Sequence, residues 1–86
     1  MKVYNLKNWS VCGGGVFFSG FARLYGERAE DKQEVLTSQI DQVNGRFVIT
    51  KSGSVYILHN ISDDYLQWMK NNHIDYDEEE PLKGII

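Results

Sequence analysis

Arg23 and Arg28, followed by the adjacent hydroxyl residues Thr37 and Ser38, are the side chains in this sequence best suited to binding chemistry. An arginine fork grips phosphate oxygens through two parallel hydrogen bonds, hydroxyls take the remaining oxygens, and an aromatic face stacks on a base. Trp9 and Tyr25 supply such faces, and Thr50, Ser52, Ser54 and Tyr56 add further hydroxyls and a ring. The set suits an anionic, nucleotide-like ligand. Arg23, Arg28, Thr37 and Ser38 would meet phosphate or ribose, and Trp9 or Tyr25 would stack on the base. Each position also has a structural alternative, because Thr and Ser are ordinary strand and turn residues and aromatics are ordinary core.

Other chemistries find less to work with. Cys12 stands beside Gly13-Gly14-Gly15, but the two histidines, His59 and His73, fall near opposite ends of a predicted helix and make no Cys-His motif. Two histidines and one cysteine are too few for a structural zinc site. The glycine triplet lacks the Gly-Lys-Ser/Thr ending and following helix of a phosphate loop, so it reads as a hinge. Acids cluster only near the C-terminus, where like charges repel, and no carboxylate pair is poised for acid–base work. The expectation is a binding protein with no catalytic residue, no metal and no cofactor.

The elements that would position these groups centre on residues 35–58. Asn44-Gly45 lies between two β-rich runs, Val35–Val43 and Arg46–Lys51, and is a strong hairpin signal because both central residues of a type I′ turn need positive φ. Ser52-Gly53 is a weaker turn before Ser54–Leu58. With these loops Gln42 faces Phe47, Ile40 and Tyr56 face Ile49, and Phe47 faces Leu58. Leu36, Ile40, Phe47, Ile49, Tyr56 and Leu58 would then share one face, with Val48, Val55 and Ile57 on the other. A middle strand apolar on both faces requires cover on both, by barrel closure or by a helix packed outside.

Upstream, Lys2–Val11 reads as a short strand broken near Asn8. Val16–Tyr25 reads as a long β-type run with a bulge or bend at Gly20. Gly26–Glu34 is a polar surface connection. Ser62 is a good N-cap, Asp63 and Asp64 suit a helix N-terminus, and Asn71 or Asn72 can end the helix, giving one over about residues 62–72. Ile61, Tyr65, Leu66 and Met69 fall on one face of it. The fold class expected is mainly β: a small curled antiparallel sheet or SH3-like barrel of about five strands, with one C-terminal α-helix.

Length and charge bound the rest. The chain has 86 residues and a net charge of −3, so one domain over residues 1–74 is expected, followed by an acidic, flexible tail over 75–86. That tail holds five acids and one lysine, a net of −4, and leaves the body at +1. A nearly neutral body argues against a sequence-specific nucleic-acid partner. One cysteine suits a reducing compartment, and no apolar run suggests a membrane partner. A cytoplasmic protein is expected.

The order of motifs resembles a group of small proteins encoded in phages and prophages. The resemblance rests on Asn8-Trp9-Ser10, then Thr37-Ser38-Gln39-Ile40, then Thr50-Lys51-Ser52-Gly53-Ser54-Val55-Tyr56-Ile57-Leu58, and covers about residues 8–58. It implies an anti-defence protein acting in the cytoplasm of a host bacterium. The specific expectation is a sponge that sequesters a nucleotide immune signal. One alternative is a protein–protein inhibitor, such as an anti-CRISPR, acting on a bacterial immune protein through the acidic tail or a strand edge. Another is a hydrolase of a small phosphate-containing signal, which has no residues to carry it. A barrel this small has little room inside for a nucleotide, so the sponge further implies a homo-oligomer with the ligand between protomers.

Overall fold

The computed structural model describes residues 2–12 and 22–83. Five strands follow one another: β1 (Val3–Cys12), β2 (Arg23–Arg28), β3 (Glu34–Asn44), β4 (Phe47–Thr50) and β5 (Val55–Leu58), then one helix, α1 (Asp63–Asn71). The fold is mainly β, as the sequence suggests. Each strand pairs antiparallel with the next, and β1 returns to pair with β5, closing a barrel. With an odd number of alternating strands the first and last run the same way, so the closing pair is parallel: Val3 against Val55 through Leu6 against Leu58. The glycine joint at 13–15, the β run before Ala22 and the bend at Gly20 lie outside the described residues.

Bulges let the two long strands wrap around the barrel. In β1 the pairing shifts between Lys7 and Ser10, where Asn8 has φ of +50°. The break expected near Asn8 is this bulge. The extra residue changes the alternation, so Leu6 and Trp9, three apart, both enter the core with Val11. β3 bulges twice, near Thr37 and near Asp41. At the first, Leu24 N has no ladder carbonyl opposite and donates instead to Thr37 Oγ1 at 3.0 Å. Gly26 lies where β2 presses on β1: a Cβ there would sit 2.9 Å from Lys7 O and 3.0 Å from Leu6 Cγ.

Both pairings of the meander differ from the sequence expectation, β3–β4 by two residues along β4 and β4–β5 by one. Asn44 pairs with Phe47, Val43 with Val48 and Gln42 with Ile49, so the β3–β4 loop is Gly45-Arg46. Only Gly45 of these two has positive φ, +60°, the sign pattern of a type II′ turn. The β4–β5 connection is the three-residue loop Lys51-Ser52-Gly53. Gly53 N donates to Thr50 O at 2.9 Å and Gly53 has φ of +87°, a type I turn with a G1 bulge. A two-residue slip keeps each side chain on its face, but the one-residue slip of β4–β5 parts Phe47 and Ile49 from Tyr56 and Leu58, and the bulge at Asp41 parts them from Ile40. Val48, Thr50, Tyr56 and Leu58 face the core, while Phe47, Ile49 and Ile57 face outward.

α1 is capped as its sequence indicates: Ser62 Oγ accepts from Tyr65 N, and Asn72 ends the helix. It packs against β1 rather than over the outside of β4 or β5. Met69 is buried with Trp9, and Tyr65 stacks on Trp68 with ring centroids 5.3 Å apart.

The expected free tail is not what residues 75–83 form. Leu82 and Pro81 are fully buried, and Tyr76 packs on Trp9 at 6.4 Å between ring centroids. The segment is acidic at its exposed positions but carries enough apolar side chains at 74, 76, 81 and 82 to be held down.

Candidate functional site

Among the cavities formed by the described residues, none gathers the six residues predicted to hold a nucleotide. Trp9 is fully buried; its Nε1 donates to His59 O at 3.1 Å, and Tyr65 and Tyr76 cover its faces. It cannot stack on a base, because the bulge at Asn8 turns it inward. Thr37 is buried too, its hydroxyl accepting from Leu24 N and donating to Ser38 O at 2.7 Å. That hydroxyl completes a backbone ladder and is not presented to a ligand. Arg28 is likewise engaged within the fold: Nη2 and Nε meet the two oxygens of Asp31 at 2.7 and 3.2 Å, and the guanidinium lies 4.9 Å from the Tyr4 ring centroid.

Ser38 Oγ accepts from Ser52 N at 3.1 Å and donates to Ser52 Oγ at 3.2 Å, which in turn lies 3.1 Å from Thr50 Oγ1. The hydroxyls noted in the sequence thus satisfy one another and tie the β4–β5 loop to β3. Arg23 and Tyr25 alternate on β2 and share its exposed side. The Glu34 carboxylate beside Tyr25 holds its phenol above the usual ionisation range.

What the fold does expose is the outside of the closing strands. Two cross-strand rows run over β1, β5 and β4: Val3–Val55–Ile49, and Asn5–Ile57–Phe47. All but Asn5 are apolar; Phe47 and Val3 are each 52% exposed, Ile49 and Ile57 are half-buried, and Val55 is buried. No helix or loop of the described residues packs over Phe47. The sequence marks the middle strand as apolar on both faces but places Phe47 and Ile49 on one face with Ile40, Tyr56 and Leu58, from which the Asp41 bulge and the β4–β5 register separate them.

Arg46 organises the edge of this surface. Nε donates to Leu58 O at 2.6 Å, and the two terminal nitrogens donate to His59 O and Glu78 O. One guanidinium therefore joins the β3–β4 turn, the end of β5 and the C-terminal segment. Nothing in the local sequence marks this arginine; only the tertiary approach of three carbonyls does. Two grooves flank it. One, of about 540 Å³, has Phe47 and Ile57 with Glu78 and Glu79 beside them. The other, of about 510 Å³, is lined by His59, Ile61, Asp63, Leu66 and Tyr76 among others. None of the six predicted ligand residues lines either groove.

A polar chain borders the patch. Asn5 N and Nδ2 donate to the Glu30 carboxylate, the latter at 2.7 Å, while Asn5 Oδ1 lies 2.6 Å from His59 Nε2. Donation from the Asn5 side chain and then its backbone holds the Glu30 carboxyl below the usual glutamate range. Burial pushes the Tyr65 phenol far above its ordinary range. Among the described residues no group of three or more His, Cys, Asp or Glu is placed to hold a metal ion, and no helix is long and apolar enough to cross a membrane. No protein-family model, curated protein or solved structure matches the chain.

Proposed function

We propose that this chain is a non-enzymatic binding protein that docks on a partner protein through the outer face of β4 and β5. The observation that carries the reading is Phe47, half exposed at one end of the apolar cross-strand rows on the outside of β4 and β5. Burying exposed apolar surface against a partner is favourable at roughly 25 cal/mol per Å², and large apolar side chains held on a rigid sheet suit an interface anchor. The resemblance to phage-encoded proteins makes a bacterial immune protein in the host cytoplasm the partner class to try first.

Sequestration of a nucleotide signal is the competing reading. Exposed Arg23 and Tyr25 favour it, while the engagement of Trp9, Arg28 and Thr37 within the fold weighs against it. Native mass spectrometry of the chain purified from a lysate with active immune signalling separates the two. A protein-sized partner, present with the wild type and lost with Phe47→Ser, is the expected result. A nucleotide-sized adduct that survives Phe47→Ser and disappears with Arg23→Ala would replace this reading with the sponge.

A further inference from the structure

The groove beside the β3–β4 turn combines two features that recognise different parts of one ligand. Its apolar part is the cross-strand pair Phe47–Ile57. Its acidic part is Glu78 and Glu79, both exposed and in no ion pair among the described residues. The backbone that carries these acids is fixed against the barrel. Glu78 O accepts from Arg46, Glu79 O lies 3.3 Å from where a Cβ on Gly45 would be, and Asp77 Oδ1 accepts from Glu79 N at 2.9 Å. Arg46 spends its donors on three carbonyls. The two carboxylates are thus presented from an ordered turn next to an apolar surface.

We infer that this groove binds a basic segment of a partner protein that carries one apolar anchor side chain. The anchor lies on Phe47 and Ile57, and flanking Lys or Arg side chains meet Glu78 and Glu79. This inference rests on the protein-docking reading above and adds the chemistry of the partner. A volume of about 540 Å³ is ample for one large side chain. The apolar contact supplies most of the affinity, and the rim charges supply selectivity and association rate. A second copy of this chain is a poor occupant. The chain carries a net charge of −3, and a two-fold contact centred here would set Glu78 and Glu79 against their own copies.

The test is selection of a displayed random dodecapeptide library on the immobilised full chain. Phe47→Ser and the double variant Glu78→Gln/Glu79→Gln serve as comparators, with circular dichroism to check that both fold. Enriched peptides are expected to combine Lys or Arg with one large apolar residue. A synthetic representative should lose binding to Phe47→Ser, and bind the double variant about fivefold more weakly, the effect of two exposed charge pairs. High salt should weaken it similarly. Peptides that need Phe47 but are not basic, or that ignore the double variant, would overturn this inference and leave the docking reading standing. No enrichment, or enrichment indifferent to Phe47→Ser, would overturn both.

Discussion

Glu30 shows how one side chain responds to a contact from far along the chain. Its carboxylate takes two donors from Asn5, 25 positions away, and Asn5 in turn contacts His59. A carboxyl whose folded value is depressed contributes stability that is fully present above its unfolded value. That contribution is lost as pH falls through the folded value. The Glu30–Asn5 link should therefore hold at neutral pH and fail only below the ordinary glutamate range of about 4.3. Carbon-detected NMR titration of the Glu30 carboxyl checks this: its midpoint should lie below that range in the wild type and move upward in Asn5→Ala. An unchanged midpoint in Asn5→Ala would mean that the side-chain amide has no part in the shift.

Among the elements, the β3–β4 hairpin and the C-terminal segment are one unit because Arg46 joins them. A partly buried hydrogen bond from a charged donor, as to Leu58 O, contributes about 1.5–3 kcal/mol, and the solvent-exposed ones to His59 O and Glu78 O add less. Arg46→Ala should lower unfolding stability by about 2–3 kcal/mol, measured by urea denaturation. It should also free the 75–83 segment for proteolysis and shift Trp9 emission to the red as Tyr76 leaves its face. Arg46→Lys should recover little, because an ammonium is a point charge and cannot reproduce a fork aimed at three carbonyls. Full recovery by lysine would show that charge alone holds the segment.

For the whole molecule, the decisive event is the return of β1 to β5. The parallel pairs from Val3 to Leu6 leave neither the first nor the last strand with an open edge, which is the surest protection against edge-to-edge association. Deleting residues 2–6 should expose the edge of β5 and remove Leu6 from the core. The expected outcome is loss of cooperative thermal unfolding together with aggregation seen by light scattering. A truncated chain that stays monomeric and melts cooperatively would show that β1 is dispensable for closure. Closure also explains the uncovered outer patch: with the interior filled by Leu6, Leu24, Val48 and Leu58, the apolar residues of alternate parity have nowhere to go but outward.

The sequence by itself determined whatever depends on neighbours along the chain. Ser62, Asp63 and Asp64 start a helix through local capping and dipole effects. Alternating apolar residues with Gly45 and Gly53 make strands and turns, so the mainly β fold and the C-terminal helix were legible. Which residue faced the core was not. Gly45 serves equally in an Asn44-Gly45 or a Gly45-Arg46 loop, and the bulge at Asp41 together with the three-residue loop Lys51-Ser52-Gly53 parts Phe47 from Ile40, Tyr56 and Leu58. These two irregularities align Val48, Thr50, Tyr56 and Leu58 with the core, and the tight Gly45-Arg46 turn lets Arg46 reach Leu58, His59 and Glu78. The same limit removed Trp9 and Thr37 from the predicted site, since bulges at Asn8 and Thr37 alter strand parity without an unambiguous local mark. Burial and register are properties of contacts between distant segments, and only the tertiary structure decided them.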